Sequence, residues 1–392
     1  MSAAARPLNE LESVARARAS VNVAAIERNC ARLGSELHTG ALLCAVVKAD
    51  GYGHGASPSA RAALAGGASW LAVASAREAC ELRAAGIEEV PILVMGALGP
   101  GELSEALAAS ADVVAWSEQH VLDVARAGGG RVHVKLDSGM GRLGTRDPAL
   151  ASAVLALAER SAGVEPVGLM THFATADELD DEGFFASQLE AFTSWAAEHK
   201  ARRPELIVHA ANSAALLREP RAQFDMVRCG IAIYGMDPFG VEPTERELEP
   251  ALELSSYVAE VKPCRAGESA GYGRRFVAAR DTWLGVLPIG YGDGWRRGLS
   301  NNADVLVDGL RRPLVGTVSM DNITIDLGAE QSAERLRGAR AVLIGADGEE
   351  RITAEELARR LDTINYEITC GLTPRVPRVH HRDGVAVGRA DG

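Results

Sequence analysis

A (β/α)8 barrel of the TIM type, followed by a smaller, mostly-β domain, is the α/β architecture this sequence predicts, and three observations predict it. Eight short β-rich runs recur between Leu42 and Gly235, with Ala-rich amphipathic stretches between them. No Gly-x-Gly-x-x-Gly follows the first run, as a doubly wound dinucleotide-binding sheet would require. Beyond about Pro250 the rhythm changes to strand-like runs without intervening helices. Other α/β arrangements stay compatible with the pattern.

After SVNV near Ser20, the eight runs are LLCAVV, WLAVAS, PILVMG, DVVAW, RVHVKLD, PVGLMTHF, LIVHAAN and MVRCGIAIYG. Helical periodicity covers Ala76–Ala85, Ser117–Ala127 and Glu182–Glu198, with Ser75 and Ser117 placed as N-caps. In the second part YVAEVKPC, WLGVLPIGYG, DVLVDGLRRPLVG and NITIDL read as strands, and Asp308-Gly309 suits a tight hairpin turn. One helix, TAEELARRL from Thr353, opens with a Thr-x-x-Glu capping box. The last dozen residues, from about His381, are polar and Gly-rich and are expected to be loosely held. The expected domains are residues 15–250 for the barrel and 251–392, with contributions from 1–14, for the β domain.

The 392 residues are long enough for two full cores, and 47% hydrophobic content is that of an ordinary globular protein. A formal charge of −12 offers no basic stripe for a phosphate backbone, so no nucleic acid partner is expected. The sequence has no apolar run of membrane-spanning length and no signal peptide, which predicts a cytoplasmic protein without a membrane partner. Cys30, Cys44, Cys80, Cys229, Cys264 and Cys370 lack paired spacing for zinc or disulfides, so they are expected to be reduced core residues, with no metal site.

Catalytic groups of such barrels sit where strands end. The run ends carry Lys48, then Lys135 and Asp137, then His172, then Asn212 and Ser213, then Arg228 with Tyr234 close behind. Any one alone reads equally as a helix cap or an ion pair; five runs converging on one face carry the functional reading. Lys48 ends an apolar run, and a lysine desolvated there becomes a nucleophilic amine able to form a Schiff base with an aldehyde cofactor. Pyridoxal 5'-phosphate is the candidate. Asn212-Ser213, opening the helical SAALLR, offers N–H groups and a hydroxyl to its phosphate, and Gly230 permits close backbone approach. Arg228 carries donors only, so a pyridine nitrogen facing it must be unprotonated; such a site favours brief proton removal and return.

Nine segments, AVVKADGYGHG, VKLDSGMGRLG, THFATAD, HAANSAA, RCGIAIYG, GYGRRF, PIGYGDGW, SMDN and INYE, resemble bacterial alanine racemase, a fold-type III pyridoxal phosphate enzyme, in order and approximate spacing. The resemblance runs from roughly Ser20 to Arg378. It implies the Schiff-base lysine at Lys48 and a phosphate cradle of Tyr52, Ser213, Gly230, Ile231 and Tyr366, with Asn212 beside it. Arg228 resembles the pyridine-nitrogen partner, Arg142 the arginine that bonds the cofactor's phenolic oxygen and the substrate carboxylate, and Lys135 a lysine carbamylated in many members. His172 is similar to the histidine linking that pyridine arginine to a catalytic tyrosine, and Tyr272, supplied by the partner subunit of a homodimer, is similar to that tyrosine. Met320 and Asp321 resemble the substrate side across the dimer interface, and Tyr291, Asp177 and Arg297 the entrance corridor. Thr317 and Ser319 depart from the arginine and cysteine common there.

The activity so implied is interconversion of L- and D-alanine by two bases, Lys48 on one face and Tyr272 on the other, supplying D-alanine for peptidoglycan. Alternatives are a broad-specificity or serine-preferring amino-acid racemase, a fold-type III decarboxylase, which Arg228 disfavours, and a non-catalytic carrier of the cofactor, which would not need the second domain.

Overall fold

A computed structural model describes residues 15–329 and 333–387. These fall into two compact units, one of residues 26–233 and one joining the first strand to the chain from Tyr234 onward.

Strand β1 (Ala17–Asn22) comes first. The barrel strands are β2 (Leu42–Val46), β3 (Trp70–Val73), β4 (Ile92–Val94), β5 (Asp112–Ala115), β6 (Gly130–Lys135), β7 (Val164–Met170), β8 (Ile207–His209) and β9 (Met226–Cys229). Each is parallel to the next, and β9 returns to β2 with Leu42 opposite Met226, closing the sheet. All eight runs expected from the sequence are there, because short β-branched segments too brief for helices have both faces covered. Ser75 and Ser117 cap the helices Ala76–Ala84 and Glu118–Arg126, accepting from Glu78 N–H and His120 N–H. Each such cap contributes about 1 kcal/mol. Trp70 on β3 and His133 on β6 have two strands between them in the barrel order, yet their rings meet edge-on at 5.7 Å, which places both in the interior.

In the second unit the main sheet runs Leu310–Pro313, Asp304–Val307, Arg340–Asp347, Leu252–Tyr257, β1, Arg378–Arg382, Val385–Ala386. A three-stranded sheet pairs Glu260–Cys264, Thr282–Leu287 and Ile323–Gly328. The hairpin at Asp308-Gly309 has φ of 57° and 70°, the left-handed pair that a two-residue turn demands.

Several expectations change. Strand β1 lies within the stretch 15–250 expected to be barrel, but it pairs antiparallel with Leu252–Tyr257 and parallel with Arg378–Arg382 in the β unit. The chain end from His381 is not loose as far as Ala386: it forms a hairpin, and the Asn22 amide bonds Asp383 at both its side chain and its N–H. The contribution expected of residues 1–14 lies outside the described residues. Thr353 caps its helix, but Glu356 does not complete the box, because Arg311 binds its carboxylate at 2.9 and 3.0 Å, a stronger charge-assisted pair. Among the cysteines, Cys370 is exposed and Cys80 half-buried, so only four are core residues.

Candidate active site

Lys48 stands two residues beyond β2 and is half-buried, not enclosed in the strand as expected from the apolar run. The reason is local. Val47 N–H makes the last sheet bond, to Ala72, and the chain then turns through Ala49, Asp50, Gly51, Tyr52 and Gly53 with φ of 52°, 52°, 62°, 53° and 83°. A left-handed turn costs about 1–2 kcal/mol for each residue with a Cβ. Glu78 helps to hold it: one carboxylate oxygen accepts from Ala49 N–H at 2.7 Å while the other caps the following helix through Ala74 and Ser75. Asp50 accepts from Ala56 N–H at 2.8 Å. Strain held in this way beside a lysine marks a position where backbone geometry matters.

Four cations converge on His172. Its imidazole is held well below the ordinary histidine range, first by burial and then by Arg228, Arg142, Lys135 and Lys48, so it is neutral at neutral pH. Burial and the Arg228 and Arg142 charges push Lys135 down to about 8, against the pull of Asp137. Arg228 is buried in β9, and burial lowers it to about 10, still charged at neutral pH. Its Nη1 donates to His209 Nδ1 at 2.8 Å, and its Nη2 serves Thr171 O, Ala210 O and, at 3.2 Å, His172 Nδ1. Because a guanidinium only donates, His172 carries its proton on Nε2.

Arg142 sits exposed on the loop after β6. Asp137 organises that loop, accepting from Gly139 and Gly141 N–H at 3.0–3.1 Å. Burial would raise the Asp137 carboxyl, but these amides and Arg146 outweigh it and hold it below the usual range.

The Ser213 hydroxyl accepts from Gly230 N–H at 3.1 Å and Ala232 N–H at 3.4 Å, and the Cys229 thiol lies against it. Asn212 caps the short helix that Ser213 opens, accepting from Ala215 N–H. Ile231 begins the turn after Gly230. A Cβ at Gly230 would stand 2.8 Å from Tyr52 Cζ, so glycine there lets the tyrosine ring lie against the backbone. Asp177 is exposed beyond β7. Tyr234 is fully buried.

The remaining expected residues belong to the β unit. Tyr272 is 75% exposed in a turn between Gly271 and Gly273, both left-handed, and Thr317 Oγ1 donates to its carbonyl at 2.7 Å. Met320 and Tyr291 are 52% and 42% exposed and share one loop cluster: Tyr291 N–H bonds Ser319 O, and Gly292 N–H bonds Met320 O. Asp321 pairs with Arg375, which also reaches buried Asp293 at 3.4 Å. Arg297 is exposed in the turn that follows, and Tyr366 lies half-buried in the helix Asn365–Cys370.

Family models described as the N-terminal and C-terminal domains of alanine racemase match residues 21–238 and 251–380. The chain belongs to the alanine racemase family. The alanine racemase of Thermobifida fusca is 44% identical over 374 residues, covering 93% of this chain and 98% of that protein. Alanine racemase 1 of Bacillus subtilis is 39% identical over 371 residues, 93% of each. The solved alanine racemase of Streptomyces coelicolor superposes with a TM-score of 0.88 at 38% identity, covering 94% of this chain and 99% of that one.

For an alanine racemase sequence, three residues at this site escaped notice: Glu78, which braces the turn after Lys48, and His133 and His209, which stand behind Arg228. A signal existed for one of them. His133 and Lys135 are two apart in a strand and so share its face.

Proposed function

We propose that this racemase interconverts L- and D-alanine with pyridoxal 5'-phosphate held in the barrel on Lys48, as a homodimer in which each subunit lends Tyr272 to the other. The observation that carries this is the convergence of Lys48, Lys135, Arg142 and Arg228 on one histidine, in a chain whose net charge is −12. Such a cluster suits a ligand with a dianionic phosphate and a substrate carboxylate.

The residues present fit the cofactor. Lys48 supplies the amine, Gly230, lacking a Cβ, lets Tyr52 close against the Ser213–Gly230–Ile231 turns that would cradle the phosphate, and Arg228 is a donor-only partner for the ring nitrogen. We assign Tyr52, Asn212 and Tyr366 to the same phosphate end. Bound through its aldehyde, the cofactor would draw electrons from the substrate Cα so that the Cα proton can leave.

Racemisation takes a proton from one face and returns one to the other, which calls for a base on each side. Lys48 Nζ holds the proton on the D-alanine face, and the Tyr272 hydroxyl of the partner subunit on the L-alanine face. Covering by a second subunit would exclude water from this side chain, which is 75% exposed in the single chain. His172, protonated at Nε2 and tied to cationic Arg228, would donate to that phenolic oxygen and favour its ionised form. Arg142 binds the carboxylate, oriented by Lys135, whose depressed basicity favours carbamylation. Met320, Asp321 and Tyr291 line the substrate side, and the D-alanine formed is assigned to peptidoglycan supply.

The test is racemisation of a panel of amino acids by the purified chain with added cofactor. Alanine should be turned over fastest, in both directions. A faster rate with serine, or cofactor uptake without racemisation of any member, would replace this reading with the serine-preferring enzyme or the carrier.

A further inference from the structure

Arg228 is the inner end of a buried hydrogen-bond chain that crosses the barrel interior. His209 Nε2 lies 2.8 Å from His133 Nδ1, His133 Nε2 lies 3.1 Å from Asp112 Oδ2, and Arg131 Nε donates to Asp112 Oδ1 at 2.9 Å. Both imidazoles are fully buried, and Asp112 is nearly so.

The chemistry of its two ends fixes every proton in the chain. Arg228 can only donate, so His209 Nδ1 must accept. Neutral His209 then carries its proton on Nε2 and donates to His133 Nδ1. His133 in turn carries its proton on Nε2 and donates to the carboxylate, which only accepts. The donor direction therefore runs one way, from Arg228 to Asp112. Burial first and then Arg228 hold His209 well below the ordinary histidine range, consistent with a neutral ring.

The backbone is shaped to permit this. Strand β7 lies between β6 and β8, and its Gly168 stands opposite His133; a Cβ there would be 2.7 Å from His133 Cε1 and 3.0 Å from Cγ. Glycine leaves the room through which the His133 ring passes to reach His209.

We propose that Asp112 and His133 are positioning residues, which lock His209 in the Nε2–H tautomer so that its Nδ1 lone pair faces Arg228 and fixes the orientation of the guanidinium. This rests on the reading above only for what Arg228 then faces, the cofactor's ring nitrogen; the tautomer lock stands without it.

The experiment is 15N NMR of histidine-labelled full-length protein, first without cofactor. His133 and His209 should both show the Nε2–H pattern at neutral pH. Asp112→Asn allows either amide atom to face His133, so the His209 signals should shift and broaden. Gly168→Ala keeps every polar group yet displaces the His133 ring, and gives the same reading should Asp112→Asn fail to fold. In the cofactor-loaded enzyme the variant should lower kcat by about tenfold, one hydrogen bond's worth, with KM for alanine little changed. An Nδ1–H or doubly protonated His209 in the parent protein, or His209 signals unchanged in a folded variant, overturns the proposal. The expected shifts in a chain that binds no cofactor would instead overturn the function proposed for the site.

Discussion

The Thr317 hydroxyl donates to the Tyr272 carbonyl at 2.7 Å, tying the turn that presents the tyrosine to the loop that leads to Met320. A Cβ at Gly271 would lie 3.0 Å from Thr317 N, so the two segments are in close contact. Thr317→Val should remove about 1 kcal/mol of this restraint and lower kcat by about fivefold. Thr317→Ser should restore most of the loss. Equal rates for the Val and Ser variants would show that the bond does not position Tyr272.

Tyr272 is the second base of the proposed mechanism, and its 75% exposure leaves it open to the partner subunit that the proposal requires. Lys48→Ala and Tyr272→Phe homodimers should each be nearly inactive. Mixed and re-equilibrated in equal amounts, they should recover about a quarter of the parent activity, since half of the dimers are mixed and each holds one intact site. Absence of recovery, with mixed dimers verified by mass, would place Lys48 and Tyr272 of one site on the same chain.

Lys135 lowers stability while it is charged. Its native pKa of about 8, against an ordinary value of 10.5, means that the charged amine disfavours the native state by about 3 kcal/mol wherever both states are protonated, below pH 8. Between pH 8 and 10.5 the unfolded chain binds more protons than the native one, so stability should rise with pH. Denaturant titrations in CO2-free buffer should show that rise in the parent and not in Lys135→Met. With 13C-bicarbonate the parent should acquire a carbamate resonance that Lys135→Met lacks, and loss of the pH-dependent rise should accompany it.

Gly230 touches the Tyr52 ring. Gly230→Ala should overpack this contact by about 1–3 kcal/mol. Equilibrium dialysis should then show cofactor retention weakened by about ten- to a hundredfold. Unchanged retention would place the phosphate elsewhere.

Much of this was legible in the sequence, and the reason is spacing. Eight β-rich runs between helical stretches fix a closed parallel sheet, and strand ends mark a site because barrel topology gathers them. What escaped depends on partners distant in sequence. His133 and Asp112 acquire meaning only when β5, β6, β8 and β9 surround one interior, and Gly168 only when a ring must pass it. The left-handed turn after Lys48 has no strong signature, since Ala49 and Tyr52 ordinarily avoid positive φ; Glu78, twenty-nine residues away from Ala49, helps to sustain it. Strand β1 looked like the start of the barrel because sequence order does not reveal that Leu252–Tyr257 and Arg378–Arg382 claim its edges.

The covalent hold at Lys48 is tested most directly by borohydride reduction of the chain in the presence of pyridoxal 5'-phosphate, followed by proteolysis and mass mapping. The account predicts a single stable pyridoxyl adduct, on the peptide carrying Lys48, and none in Lys48→Ala. An adduct on another lysine in the parent protein, or none at all, would contradict it.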